Sequence, residues 1–412
     1  MLVRRALDTI VAVAALVVFT SAAAAQTPAP AAGSLTLDAA LAMAAASNPH
    51  LMAARLKKPV DVAGVDVAAE RPNPDFAYEL SRDFPRQSFT LIFPIEMGGK
   101  RSRRIDLARA TVASGDAAVA QEVFALQNEV RRAYFALAAA EARAVAAADL
   151  RGLALRARDA AQTRLTLGDA PRLEVLQAEL ALASADNDMT TATAVAAANR
   201  AALNTLLGRA PATPVTTTDA LTTRGLPPAE AALARANAAS VDVAALDAEI
   251  VEQTARRALA KAMTTPDFSA GGGVMSGVPD EFSIGWRASA SVTVPLFTRH
   301  QAGVMVEDAE LARLRAERAA VIADIAGHLA EARARAVAAE AQVDRYERDI
   351  LPRALEVERM AEDSYRSGQS NLASLLQSLQ SSREMRYRAL DAGLDYQLAL
   401  ADVERAIGAV IK

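Results

Sequence analysis

The stretch Gly98-Gly-Lys-Arg-Ser102 is the first place where residue types invite chemistry, because glycines beside a lysine and a serine are the material of a phosphate cradle. A working cradle needs an earlier glycine in the loop and a Ser or Thr directly after the lysine. The first is missing and Arg101 occupies the second place, so no nucleotide site is expected. His50, His300 and His328 are scattered without HxxxH or HxxE spacing, and there is no cysteine, so no resident metal centre is expected. Carboxylates are plentiful but interleave with arginines at the i,i+4 spacing of ordinary helix-surface pairs. No nucleophile stands beside a base. The sequence therefore predicts no catalytic residue, no cofactor and no enzyme.

The elements around these residues are almost entirely helical. Of 412 residues, 52% are hydrophobic yet only 4% are aromatic, and much of the apolar content is alanine, which favours long, closely packed helices over a thick core. A formal net charge of −4 argues against a nucleic-acid partner. Residues 1–25 read as a secretory signal: Arg4 and Arg5, an apolar run from Ile10 to Phe19, and Ala23-Ala24-Ala25 at the cut. An exported, cysteine-free helical chain suits the periplasm of a Gram-negative-type cell.

Compared with itself, the chain reads as a tandem duplication. The 39–76 segment aligns without a gap on 231–268, both ending in Pro-Asp-Phe, and Gly168 and Leu176-Gln177 align on Gly368 and Leu376-Gln377. The first repeat, 26–227, is predicted to hold a half-helix, a β-hairpin at 74–95, a long helix at 100–167, a return helix at 172–207 and an irregular linker at 208–227. The second, 228–412, repeats the order with a hairpin at 267–296, a long helix at 299–367 and a return helix at 371–410. Each rod of this kind would be about 100 Å long. Gly168 and Gly368 suit left-handed caps. Pro59 is expected to interrupt the first half-helix. The 228–263 half-helix is expected to stack on the first return helix, and 35–69 on the second.

The hairpins alternate strictly, for example Phe282, Ile284, Trp286, Ala288, Ala290, Val292 and Val294 against Ser283, Gly285, Arg287, Ser289, Ser291 and Thr293. Phe76, Tyr78, Phe89, Phe93, Phe268, Phe282, Trp286 and Phe297 concentrate there, as a membrane aromatic girdle would. Strands in lipid must close, and four cannot, since barrels start at about eight strands. Copies of the chain must then share one cylinder. The basic cluster Lys100, Arg101, Arg103 and Arg104 at a strand end could meet lipid headgroups or simply be solvated.

At this point SLTLDAALAMAAASNPHL, PNPDF, FPIEMGGKRSRRIDLARA and the two Gly-centred turns followed by LEVLQAE and LASLLQS resemble the outer-membrane efflux duct family typified by TolC, over essentially the whole mature chain. The Glu96–Arg104 run is similar to the branch that works with cation-exporting pumps of the resistance-nodulation-division type.

The resemblance implies a mainly α fold with a small transmembrane β part: a homotrimer sharing a twelve-stranded β-barrel above a long antiparallel α-helical barrel. It implies an outer-membrane location extending into the periplasm. Its implied partners are outer-membrane lipid, a periplasmic adaptor (membrane fusion) protein and an inner-membrane pump. The adaptor would dock on the tips Leu167-Gly168-Asp169 and Ser367-Gly368-Gln369. Where tunnel members that close at the tip carry gate aspartates, this chain has Ser374 and Gln377, with Glu174 as the acidic residue at the matching place after Gly168. Tyr365 matches a family tyrosine near the closed gate. The implied function is a passive exit duct of a tripartite efflux system, carrying metal cations in the cation branch. The exit channel of type I protein secretion and a non-conducting periplasmic coiled-coil scaffold are the alternatives.

Overall fold

The computed structural model describes residues 33–83, 85–223, 225–276 and 284–408. The signal segment, Phe84, Phe282 and most of the 275–281 turn fall outside them. The elements in chain order are β1 (Ser34–Leu35), α1 (Leu37–Ser47), α2 (Pro49–Arg55), α3 (Lys57–Ala69), β2 (Asp75–Leu80), β3 (Gln87–Ile95), α4 (Lys100–Leu167) and α5 (Arg172–Leu206). They continue with β4 (Thr216–Thr217), α6 (Ala229–Ala239), α7 (Val241–Ala262), β5 (Asp267–Ser276), β6 (Gly285–Thr293), α8 (Gln301–Arg345), a π-turn (Tyr346–Ile350), α9 (Leu351–Arg366) and α10 (Leu372–Ile407). The mainly helical class expected from composition is the one observed.

Local chemistry sets these boundaries. Thr36 Oγ1 accepts from the Ala39 N–H to start α1, and Asn48 Oδ1 accepts from the Leu51 N–H, with Pro49 in the first turn, to start α2. A proline ring excludes the carbonyl four residues earlier from a helix, and Pro59 accordingly coincides with α2 ending at Arg55. The expected single half-helix at 35–69 is therefore three helices preceded by a short strand. The second rod differs from expectation in the same way. Pro352 would collide with the Arg348 carbonyl, and just before it the helix widens into the π-turn, whose end is marked by Leu351 N–H donating to Tyr346 O.

Helix α4, with 68 residues, is a rod of about 100 Å. It packs against α3, α5, α7 and α10, while α8 packs against α7 and α10. The half-helices stack the opposite way from the sequence expectation. Gly208, at φ 67°, closes α5 so near the end of α1 that a Cβ there would lie 2.2 Å from the Ser47 carbonyl oxygen, and Asn48 Nδ2 donates to Leu206 O at 2.9 Å. Gly408 closes α10 against Ala239 and Ser240, at the joint of α6 and α7. Each return helix thus abuts the half-helix of its own half of the chain.

The core is thin and distributed along the shaft. At mid-height, Leu51, Val130, Tyr134, Leu137, Leu203 and Leu207 are buried together. Beside them β1 and β4 form a short parallel pair. The Tyr134 hydroxyl lies 2.8 Å from both Leu35 O and Asp219 Oδ2, and burial is the main cause of its raised pKa. This organises the segment expected to be irregular. A second cluster centres on Ile325, Tyr396 and Leu400, and a third, near the far end of the shaft, on Ala161, Tyr365, Leu372 and Leu375.

Candidate functional site: the sheet and the shaft tip

Two ends of the molecule carry the candidate residues. At one end, β2-β3-β5-β6 form a single antiparallel sheet in that order, so β2 and β6 are its open edges. The register puts Tyr78 opposite Phe89, Phe89 opposite Val274 and Val274 opposite Trp286. Leu91, Gly272 and Ala288 form the next such row toward the shaft, and Phe93 lies opposite Ala270. Because residues directly opposite share a face, these side chains make one apolar surface across all four strands. That surface is uncovered within the chain: Phe76 is 67% exposed, Trp286 81% and Phe297, just beyond the sheet, 100%. Tyr78 and Phe89 stack at 4.7 Å between centroids, and Phe268, half-buried, faces Val292 and Ile95. The reverse face carries Glu79, Ser88, Thr90, Arg287 and the hydrogen-bonded pair Ser269 and Ser291 at 2.7 Å.

The basic cluster below the sheet is not free for headgroups. Lys100, 4% exposed, pairs with Asp267 Oδ1 at 2.8 Å, joining the start of α4 to the start of β5. Arg101 Nε donates to Ala69 O at 2.7 Å, and Arg104 donates to Glu70 O at 3.0 Å while forking onto both oxygens of Glu96. The last carbonyls of a helix have no partners of their own, and these arginines supply them for α3. Arg103 alone stays at the surface, with Asp106 at 3.4 Å. The headgroup reading is therefore corrected: the Lys-Arg-Ser-Arg-Arg run is a structural clamp.

At the other end, Gly168 (φ 84°) and Gly368 (φ 77°) close α4 and α9 in the same geometry. Gly168 N–H donates to Leu165 O and Asp169 N–H to Arg164 O, as Gly368 N–H does to Tyr365 O and Gln369 N–H to Ser364 O. These paired bonds make a Schellman cap, which glycine adopts without a Cβ penalty. Leu167, Gly168, Asp169, Ser367, Gly368 and Gln369 are all exposed at the two turns.

Just inside the tips the structure brings Tyr365 and Glu174 together. The fully buried Tyr365 hydroxyl lies 3.2 Å from Glu174 Oε2, and the Arg164 guanidinium sits 5.0 Å from the tyrosine ring centroid and 4.0 Å from Glu174. Burial first, then the Glu174 charge, pushes the Tyr365 pKa up, so it stays a donor. Arg156 forks onto Glu362 at 2.8 and 3.4 Å, and Arg386 onto Glu358 at 2.7 and 2.9 Å. The Tyr365–Glu174 and Arg156–Glu362 contacts latch the hairpin α4–α5 to α9–α10, while Arg386–Glu358 joins α10 to α9 within the second hairpin. Ser374 and Gln377 do not join this latch. Ser374 is exposed in the first turn of α10, where its N–H is capped by Asn371 Oδ1. Gln377 is exposed about one turn further on. Arg164, one turn before Gly168, was not singled out from sequence, and only its closeness to the turn glycine could have marked it.

Among the described residues, no group of three or more His, Asp or Glu could hold a metal ion, and no helix is long and apolar enough to cross a membrane. An uncovered apolar sheet on a hundred-ångström helical shaft is a distinctive pairing. Residues 40–209 match the family described as outer membrane efflux protein. The chain is similar to the cobalt-zinc-cadmium resistance protein CzcC of Cupriavidus metallidurans; the two are 27% identical over 388 residues, 92% of each chain. Among solved structures, this chain's fold matches the CmeC outer membrane channel of Campylobacter jejuni with a TM-score of 0.76 at 14% identity, covering 90% of this chain and 85% of that one. CusC, solved in conformations that accompany folding and transmembrane channel formation, gives 0.72 at 18% identity, covering 90% and 92%.

Proposed function

We propose that this chain is the outer-membrane exit duct of a tripartite efflux system, working as a homotrimer whose twelve strands close one barrel and whose helices form one periplasmic tunnel. The observation that carries the reading is the four-stranded sheet itself. Its apolar face is exposed, both its edges are open, and lipid tolerates no open edge. The helical layer supports the same closure. One flank exposes Leu56, Val60 and Val67 on or beside α3 and Leu173, Leu176 and Leu180 on α5, and the other exposes Met305 and Val306 on α8 and Val357 and Met360 on α9. Joining flank to flank around a ring covers both.

In this duct the polar strand faces line water, the aromatic residues sit at the lipid boundary, and the barrel stays in the outer membrane while the shaft crosses the periplasm. The tip turns at Gly168 and Gly368 are the docking points for an adaptor coupled to a resistance-nodulation-division pump. Opening separates α4–α5 from α9–α10 and breaks the Tyr365–Glu174 latch. The internal duplication gives each subunit two such hairpins and the trimer six. The name of the CzcC relative suggests divalent transition-metal cations as cargo.

Deleting the chain from its host and challenging with cobalt, zinc or cadmium tests the cargo. Loss of resistance, restored by the gene, supports cation efflux; unchanged metal resistance with loss of a secreted protein favours type I secretion. A purified trimer that never carries current in a planar bilayer would leave only the scaffold reading.

A further inference from the structure

We infer the strand register and the anchoring contact of the seam between subunits from the junction inside each chain. This rests on the trimeric reading above and adds to it which residues meet.

The two hairpins correspond residue by residue. Pro-Asp-Phe precedes each: Asp75 and Phe76 in β2 correspond to Asp267 and Phe268 in β5. On the outgoing strands, Pro94 and Ile95 correspond to Pro295 and Leu296, and the helices that follow begin at Lys100 and Gln301. The N-caps of those helices fix this second correspondence. Gly99 (φ 71°, ψ 22°) and His300 (φ 55°, ψ 6°) are both left-handed, and His300 is the one non-glycine with positive φ among the described residues. A histidine tolerates that conformation reluctantly, so its presence there marks a position whose backbone is imposed by the fold.

The correspondence passes an internal check. It carries the pair Phe76 and Leu91 of the first hairpin onto Phe268 and Val292, and Leu80 and Gln87 onto Gly272 and Ala288, which are pairs that the second hairpin makes. It can therefore be applied to the one pairing that joins the two halves. Between β3 and β5, Ile95 lies opposite Phe268, Phe93 opposite Ala270 and Leu91 opposite Gly272. Carried forward one half-chain, these become Leu296 opposite the partner's Phe76, Val294 opposite the partner's Tyr78 and Val292 opposite the partner's Leu80. On the reverse face, Thr293 meets the partner's Glu79.

Two features of the free chain agree. The register matches apolar with apolar and polar with polar, whereas a slip of one residue would mix the faces. The edge strand β6 ends at Thr293 although its counterpart β3 runs to the position equivalent to Leu296, and Val294 and Leu296 are exposed. Pairing with a second copy extends β6 through Leu296. The clamp transfers as well. Lys100 to Asp267 inside the chain becomes Gln301 to the partner's Asp75, both exposed here, so a neutral carboxamide donates where the internal junction has an ion pair.

The chain's lack of cysteine makes the test direct. Paired cysteines are introduced in the full-length protein and oxidised in outer membranes, as Val294→Cys with Tyr78→Cys and as Thr293→Cys with Glu79→Cys. The two pairs sample both kinds of antiparallel position, and directly opposed residues have a Cα separation of about 4.5–5.5 Å, within disulfide reach. Val294→Cys with Phe76→Cys or with Leu80→Cys reports a slip of two residues. A lysine-reactive crosslinker on the same membranes reports the trimer without regard to register. The expected result is a reducible covalent trimer from at least one matched pair, at yields about tenfold or more above the slipped pairs. Preferential crosslinking of a slipped pair, or of none while the lysine reagent still traps trimer, overturns the register and leaves the duct standing. Absence of trimer with every reagent overturns both.

Discussion

Replacing Tyr365 with Phe removes one oxygen from the tip latch and leaves its packing intact. The lost bond, 3.2 Å to Glu174, is to a charged acceptor, a class that contributes about 1.5–3 kcal/mol. Glu174 keeps Arg164 at 4.0 Å, so no carboxylate is orphaned, and its side chain is 18% exposed. The lower end, about 1.5 kcal/mol, is therefore appropriate, and it equals roughly a tenfold change in an equilibrium. If opening separates the two hairpins, Tyr365→Phe raises the open population of a mostly closed duct about tenfold, read as open probability in planar-bilayer recordings. Glu174→Gln, which retains an acceptor without the charge, falls between variant and parent. An open probability for Tyr365→Phe within twofold of the parent would refute the latch. The pH dependence follows from the same contact. Burial and the Glu174 charge hold the Tyr365 pKa above the ordinary tyrosine value of about 10 in the folded state, so its contribution is fully present below that ordinary value. It is lost as pH rises through the folded-state pKa. Opening is thus expected to be insensitive to Tyr365 ionisation at neutral pH and to increase in strongly alkaline buffer, an increase that Tyr365→Phe lacks.

Leu91→Arg, central on the apolar face, should cost about 2–4 kcal/mol in urea unfolding from lipid vesicles, whereas Thr90→Arg on the reverse face should alter conductance and ion selectivity with little loss of stability. Gly208→Ala combines left-handed backbone, worth about 1–2 kcal/mol, with a Cβ 2.2 Å from the Ser47 carbonyl oxygen, while Gly168→Ala has open space around it. The melting temperature should therefore fall clearly further for Gly208→Ala, and an equal fall in both would contradict the end-to-end packing. Arg131→Met leaves Glu404, 4% exposed, without its buried ion-pair partner and should destabilise the shaft by about 3–5 kcal/mol in chemical denaturation.

The helical class was legible because alanine-rich composition and turn glycines act locally, and the strands because alternation has only one structural meaning. The half-helix stacking was not legible. Both half-helices carry similar small-residue faces, and what selects between them is the closeness of Gly208 to Ser47 and of Gly408 to Ser240, a tertiary fit that no periodicity encodes. The break in the second long helix was not legible either, because Pro352 acts upstream, where the displaced carbonyl lies. Glu174 and Tyr365 were each singled out on separate grounds, yet they stand 191 positions apart in the chain and their meeting depends on how two hairpins dock. The basic run looked available for lipid because sequence shows charges and conceals the helix-end carbonyls that consume them.

The end-to-end joints beside Gly208 and Gly408 have a mechanical consequence. Among the described residues, only α4 and α8 pass through mid-height as unbroken struts, while the other two columns of each chain are butted together without a continuous backbone. Torsional compliance should concentrate at that level. A twist applied at the far end can then be taken up by the lower shaft, leaving the part embedded in lipid almost unrotated.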